Sequence, residues 1–335
     1  MSSLNVMKTD FFVGGVTALT LLATPAVAPG ADFGDLAALL ESVSDSEAHV
    51  YRLRDDGGRN MDCLEVFQPA GEGYKGVYGV HHSRKDGVFS VHLSHSMDLL
   101  KWTHARTLDE HASQPTIWET HGGAYLLAYE KDAPASCWIR LRFYKDLNRL
   151  REGKFEIEFD LPRSLAPTAE GTPSFDAVKM DWDDFSKSRI DLRFHYFKQA
   201  RVDQLARGTL TDFKSWRAEP AGEINAALKM LGGRGNLGDR TKFVWRDNSY
   251  YLQEVQGARG DWGSWRLFLC DRKGMPLRKL AIKTHKKAKA FSNPTVSWFT
   301  DATGHRKLVV TVFLHSKGND RSEAGELLYV IDPNR

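Results

Sequence analysis

The sequence predicts an all-β fold, a five-bladed β-propeller whose ring is closed by N- and C-terminal strands in one blade. Three observations predict it. A unit of roughly fifty to sixty-five residues recurs five times, a period in the range of propeller blades. Each copy opens on a short polar or Pro-containing signal, followed by an apolar strand, a turn and an aromatic-rich second strand. The run 326–331 has no strand after it, and the early run 49–53 supplies the missing partner, so the two parts of the chain complete one blade. Such closure protects the edges that an open repeat would expose.

The five opening signals are Met61-Asp62-Cys63, Ser113-Gln114-Pro115, Glu170-Gly171-Thr172-Pro173, Gly238-Asp239-Arg240 and Ser292-Asn293-Pro294. Behind them, paired strands are expected at 64–67 with 77–81, 116–119 with 124–130, 174–180 with 190–197, 242–246 with 250–255, and 295–299 with 307–314. Alternating runs at 88–93, 138–143 and 265–269 fit third strands with one face buried and one wetter. Two units share a further phrase, Ser96-Met97-Asp98-Leu99-Leu100-Lys101-Trp102 and Leu210-Thr211-Asp212-Phe213-Lys214-Ser215-Trp216. A pair of immunoglobulin-like sandwiches also gives many short strands, but sandwiches do not repeat a strand-opening signal. Helix is scarce, with short stretches expected at 35–43 and 223–231. The organisation is then a leader at 1–30, a short linker or helix at 31–47, and one propeller domain at 48–335.

A chain of 335 residues, 41% hydrophobic and 11% aromatic, suits one large globular domain. Its 46 Lys and Arg against 43 Asp and Glu leave a net charge of +3, which sets up no strong field toward nucleic acid or an acidic membrane. The local basic run Lys283-Thr284-His285-Lys286-Lys287-Ala288-Lys289 reads as a solvated loop. Residues 11–28 are apolar, follow Lys8 and end in Ala26-Val27-Ala28, the pattern of a secretory signal peptide. Asp10 ahead of the run and Pro29 after the cut weigh against it, and a membrane anchor or disordered leader is the other reading. Secretion is the expectation. Cys63, Cys137 and Cys270 cannot all pair within one chain, and no CxxC spacing points to zinc, so they read as small buried apolar residues. The chain has no Gly-x-Ser-x-Gly elbow, P-loop or dinucleotide fingerprint.

In a propeller the innermost strand of each blade starts near the axis, and the second strand ends on that same face. The opening signals and the strand returns therefore converge on one depression. The convergence gathers Asp62, Gln114, Glu170, Asp239, Arg240 and Asn293 with His81, His82, Tyr129, Glu130, Lys198, Glu254, Gln256, His315 and Ser316. Convergent polar groups in a concavity are the default site. Nine Trp and ten Tyr suit stacking on the apolar face of a sugar, and Trp262, in the loop Gly260-Asp261-Trp262-Gly263, is the candidate exposed platform.

Glu170-Gly171-Thr172-Pro173, the Ser-x-Asp-Leu-x-x-Trp phrase at 96–102, and five blades of this size resemble the arabinanase, xylosidase and invertase group of glycoside hydrolases, over roughly residues 48–332. The resemblance implies a monomeric glycosidase acting on oligo- or polysaccharides, with no required cofactor and no nucleic-acid or membrane partner once the leader is removed. It implies Glu170 as general acid and Asp62 as base or nucleophile, the two carboxyl groups that glycoside hydrolysis needs. Cys63 follows Asp62 where the group commonly has Pro, and Gln114 stands where it tends to have an Asp. Asp239 or Glu254 is then expected to supply the missing charge, with Gln114, His81, His82, Arg240, Glu254, Asn293 and Trp262 as substrate contacts. His315 is expected to face water or one structural cation on the axis. Other readings stand beside these. Glu170 also suits a turn before a strand in which it caps backbone N–H groups, second to the catalytic reading; Asp62 equally suits pairing with Arg54 or Arg59, and Asp239-Arg240 locking the blade. On the same scaffold, a lectin-like propeller without catalysis is the alternative function.

Overall fold

The computed structural model of the protein describes residues 29–71, 76–181, 184–199 and 201–334. Residues 1–28 of the expected leader lie outside them. Helix α1 (Pro29–Glu41) leads into β1 (Ala48–Tyr51). Blade 1 follows with β2 (Asp62–Phe67), β3 (Val77–Lys85), β4 (Val88–Ser96) and β5 (Thr103–Glu110). Blade 2 holds β6 (Ala112–Glu119), β7 (Tyr125–Ala133), β8 (Ser136–Tyr144) and, after the short helix α2 (Leu147–Glu152), β9 (Ile157–Asp160). Blade 3 holds β10 (Glu170–Lys179), β11 (Arg189–Lys198), β12 (Val202–Thr211) and β13 (Ser215–Pro220). Helix α3 (Gly222–Met230) then leads to blade 4, with β14 (Leu237–Trp245), β15 (Asn248–Gln256), β16 (Trp265–Cys270) and β17 (Pro276–Lys279). Blade 5 is β18 (Phe291–Thr300), β19 (Arg306–Leu314) and β20 (Gly325–Ile331), completed by β1.

Every blade is an antiparallel four-stranded sheet, and β1 pairs with β20 from Ala48↔Val330 to Tyr51↔Leu327. The ring is closed by joining the two parts of the chain, as the unmatched runs predicted. The apolar residues fall into five buried clusters, one at each junction between neighbouring blades. Burial of roughly 1.5–3 kcal/mol per large side chain is therefore spread around the ring. The cluster between blades 4 and 5 also takes up α1, through Leu36, Ala37 and Leu40. Among the described residues, no helix is long and apolar enough to cross a membrane.

The repeated Trp phrase is a turn between third and fourth strands. Asp98 Oδ1 accepts from the backbone N–H groups of Leu100 and Lys101, and Trp102 Nε1 donates to Leu99 O. The indole of Trp102 lies flush over Gly79, where a Cβ would stand 3.0 Å from Cζ3. Trp216 covers Gly208 in the same way, 2.8 Å from the corresponding position. Only glycine leaves the space that each ring fills.

Candidate functional site

The opening signals of the five units are β-bulges at the hub. The ladder of first and second strands breaks between Asp62 and Glu65, Ser113 and Thr116, Gly171 and Ser174, Asp239 and Thr241, and Ser292 and Thr295. Four of the bulged residues, Cys63, Gln114, Thr172 and Asn293, have φ between 48° and 56°. Three of them precede Pro115, Pro173 or Pro294, and proline has no N–H to lose where the ladder is interrupted.

A bulge frees a backbone N–H, and in every blade the preceding blade supplies its acceptor. Gln114 N donates to His82 Nδ1 (3.0 Å), Thr172 N to Glu130 Oε2 (3.2 Å) and Asp239 N to His195 Nε2 (3.1 Å). Asn293 N donates to Glu254 Oε2, and Cys63 N to Glu326 Oε2 (3.2 Å), which closes the circle. His82, Glu130, His195 and Glu254 hold one equivalent place, opposite the residue before the bulge. In blade 5 that place is Phe313, and its cross-strand neighbour Glu326 does the work from the third strand. Room for the staples comes from glycine. A Cβ on Gly171 would stand 2.6 Å from Glu130 Cδ, and one on Gly238 2.6 Å from Glu254 Oε1.

Arg240 crosses the hub. Its side chain is 1% exposed, and Nη1 and Nη2 donate to Gln114 O (3.2 Å) and Pro115 O (2.8 Å) of blade 2. Burial holds His82 down to about 3 and His195 down to about 4, with Arg240 pushing both the same way. Both rings are therefore neutral at pH 7, as an imidazole nitrogen that accepts an N–H must be. Burial lifts Glu254 and Glu65 to about 7 against the pull of Arg240, and lifts Glu326 well above the usual carboxylate range.

Four hub carboxyls are half-buried: Asp62, Glu65, Glu130 and Asp203. Burial raises Asp62 to about 6, opposed by Arg54. It raises Glu130 to about 7, helped by the charge of Asp203, and Asp203 itself to about 6. Two neighbouring carboxyls that resist ionising together are the usual raw material of acid–base chemistry.

Several sequence expectations are revised here. Glu170 is 3% exposed, and its Oε1 accepts from the backbone N–H groups of Ser164 (2.7 Å), Leu165 and Ala166 (2.8 Å). It caps its own loop, the second reading of its sequence. Asp239 is locked by Arg193 Nη1 (2.6 Å) and Ser174 Oγ (3.0 Å), so its carboxylate is spent on the junction of blades 3 and 4. His81 lies on the face of β3 that carries Gly79, toward blade 5, where it pairs with Ser94 Oγ (2.9 Å) and stacks on His92. His82, Arg240, Glu254, Gln114 and Asn293 do meet at the hub, as staples, bulges and plug. Glu130 gains a role that the sequence did not assign to it, and Asp203 and Glu326 are additional. The signal for Glu130 is its equivalence to His82, His195 and Glu254 in the aligned second strands. Glu326 has no such signal, because its acceptor role moved to another strand.

Above the junction of blades 4 and 5, Trp262 is 52% exposed. Its ring centroid lies 5.4 Å from that of His315, which packs in turn on Trp265 and Phe313. His315 Nε2 is paired with Ser292 Oγ (2.8 Å), and its ring is boxed by aromatics, a poor setting for a cation. Among the described residues no group of three or more His, Cys, Asp or Glu is arranged to hold a metal ion.

No protein-family model matches the chain, and no curated protein matches it either. Solved structures do. A thermostable family-43 glycoside hydrolase superposes with a TM-score of 0.51 at 11% identity, over 84% of this chain and 92% of its own. An α-L-arabinofuranosidase from Podospora anserina, in complex with cellotriose, gives 0.50 at 12% identity, over 86% and 96%. The likeness is one of fold. It extends over most of both chains, while almost all of the side chains differ.

Proposed function

We propose that the protein is a secreted glycoside hydrolase acting at the upper face of the hub, where first strands begin and second strands end. Glu130 is the general acid and Asp62 the base. The observation that carries this reading is the placement of two half-buried carboxyls at the hub, Glu130 opposite the bulge of blade 2 and Asp62 at the head of blade 1, both raised by burial above the usual carboxylate range. Oε2 of Glu130 is engaged by Thr172 N, which leaves Oε1 to hold a proton for the leaving glycosidic oxygen. Asp62, ionised at neutral pH, is the partner that activates water or attacks the anomeric carbon. The two superposed propellers are a glycoside hydrolase and an arabinofuranosidase, which favours the same class of reaction. Trp262 offers the sugar an apolar platform beside the hub.

A second reading is a lectin-like propeller that binds carbohydrate without cleaving it. It is favoured by one observation, the engagement of Glu170 by three backbone N–H groups. Turnover of a panel of aryl glycosides and polysaccharides separates the two. Glu130→Gln and Asp62→Asn should each lower kcat by about 10²–10⁴-fold, whereas Glu170→Gln should act on stability. Wild-type protein that binds sugar saturably but turns nothing over is the lectin-like protein.

A further inference from the structure

The connection from β17 to β18 runs from the rim of the upper face back to the hub. Its backbone is tied at every second or third residue. Thr284 Oγ1 donates to Glu323 (2.6 Å), Lys286 N to Glu323 (2.7 Å), Ala288 N to Thr284 Oγ1 (2.8 Å), and Lys289 N to Asn319 Oδ1 (2.6 Å). Ile282, Ala288 and Ala290 are buried beneath it. Between these anchors Lys283, Lys286, Lys287 and Lys289 are all exposed. Among the described residues, none of the four lies within ion-pair distance of a carboxylate. Four like charges held on a fixed loop repel one another, and they outnumber the carboxylates beside them, Glu323 under the loop and Asp320 near Lys286.

The loop is continuous with the aromatic platform. His315 N donates to Ala290 O (3.2 Å), and Asn319 Nδ2 donates to the same carbonyl (2.9 Å). Lys317 Nζ reaches Asp261 Oδ1 at 3.0 Å, and Lys317 lies against Gly263, the neighbour of Trp262. A strip of lysines on the rim therefore runs, by way of Asn319 and Lys317, to the exposed Trp262.

We infer that this strip binds an anionic polysaccharide, one sugar ring stacking on Trp262 while carboxylate or sulfate groups further along the chain sit on the loop lysines. The inference rests on the carbohydrate reading above and names its substrate class. A nucleic acid carries the same charge, and tighter binding to single-stranded DNA is the outcome that would favour it. A membrane surface fits less well, because residues 283–289 expose no large apolar side chain to insert.

The test is binding of the full chain to polygalacturonate, dextran sulfate, neutral dextran and neutral arabinan, at low and at raised salt. At least one anionic polymer should bind about tenfold more tightly than either neutral one, and raised salt should remove the difference. The two anionic arms distinguish carboxylate from sulfate. Exchange of Lys283, Lys286, Lys287 and Lys289 for Gln should cost about tenfold in affinity for the anionic polymer alone. Trp262→Ala should weaken charged and neutral polymers together. The Lys283→Gln/Lys286→Gln double variant is the fallback should the fourfold variant melt earlier than wild type. Equal affinity for neutral and anionic polymers, or lysine variants that bind like wild type, overturn the inference. So does tighter binding to single-stranded DNA or to anionic vesicles. If no glycan of any charge binds, it is the carbohydrate reading itself that fails.

Discussion

Replacing Gly171 by alanine introduces a Cβ 2.6 Å from Cδ and 2.8 Å from Cγ of Glu130. The obstacle is the far end of a flexible side chain, so the backbone has no need to move and Glu130 swings aside. The cost is the lost staple. Thr172 N, freed by its bulge, is left without the acceptor that holds it at 3.2 Å, and an orphaned N–H of this kind costs about 1–3 kcal/mol. Glu130→Ala orphans the same N–H and should cost a similar amount. Together the two changes should cost no more than Glu130→Ala alone, because the methyl group introduced at position 171 then has space to occupy. A double-mutant cycle by equilibrium urea unfolding at pH 7 should thus return a coupling of about 1–3 kcal/mol. Single costs that add to within about 0.5 kcal/mol would refute the reasoning, since they would mean that the carboxylate and the glycine do not share the site. Activity offers a second readout: Gly171→Ala displaces the proposed acid and should lower kcat even where stability suffices.

Turnover should follow a bell-shaped pH profile, rising as Asp62 ionises near 6 and falling as Glu130 loses its proton near 7, and a profile flat from about 5 to 8 would sink the assignment. Arg240→Met removes both donors to the carbonyls of Gln114 and Pro115, so urea unfolding should register a loss of about 1–3 kcal/mol. Glu254 is protonated in the folded state up to about pH 7 and in the unfolded chain only up to about 4.3, so its stabilisation is full below the lower value and fades as pH rises through the upper one. Glu254→Gln keeps an acceptor for Asn293 N without that titration, and melts at pH 5 and pH 8 should show the variant gaining on wild type by on the order of 2 kcal/mol at the higher pH.

The fold was legible because its punctuation is local. Gln114-Pro115, Thr172-Pro173 and Asn293-Pro294 mark bulges with their own backbone chemistry, and no distant residue is needed to see them. The site was legible only in part. Which acceptor meets which bulge is decided between blades, by pairs as close in sequence as His82 and Gln114 and as far apart as Cys63 and Glu326, 263 residues away. Glu170 shows the opposite failure. Its Glu-Gly-Thr-Pro string marks the bulge of blade 3 correctly, but the loop 164–166 that claims its carboxylate has no pattern of its own. Asp203 opens a third strand, outside the first and second strands where the signals lie.

The staples also say where a blade can be cut and exchanged. Each acceptor belongs to one sheet and each donor to the next, so the sheet is out of phase with the unit that must stay together. A transplanted blade would arrive with an acceptor chosen for a foreign neighbour, a histidine facing a bulge that had been matched to a carboxylate. A segment running from one second strand through the following first strand carries its donor and acceptor as a set. Recombination among propellers of this build should respect that offset boundary and tolerate crossovers in the turns between first and second strands far better than crossovers at the outer strands, which part each acceptor from its donor.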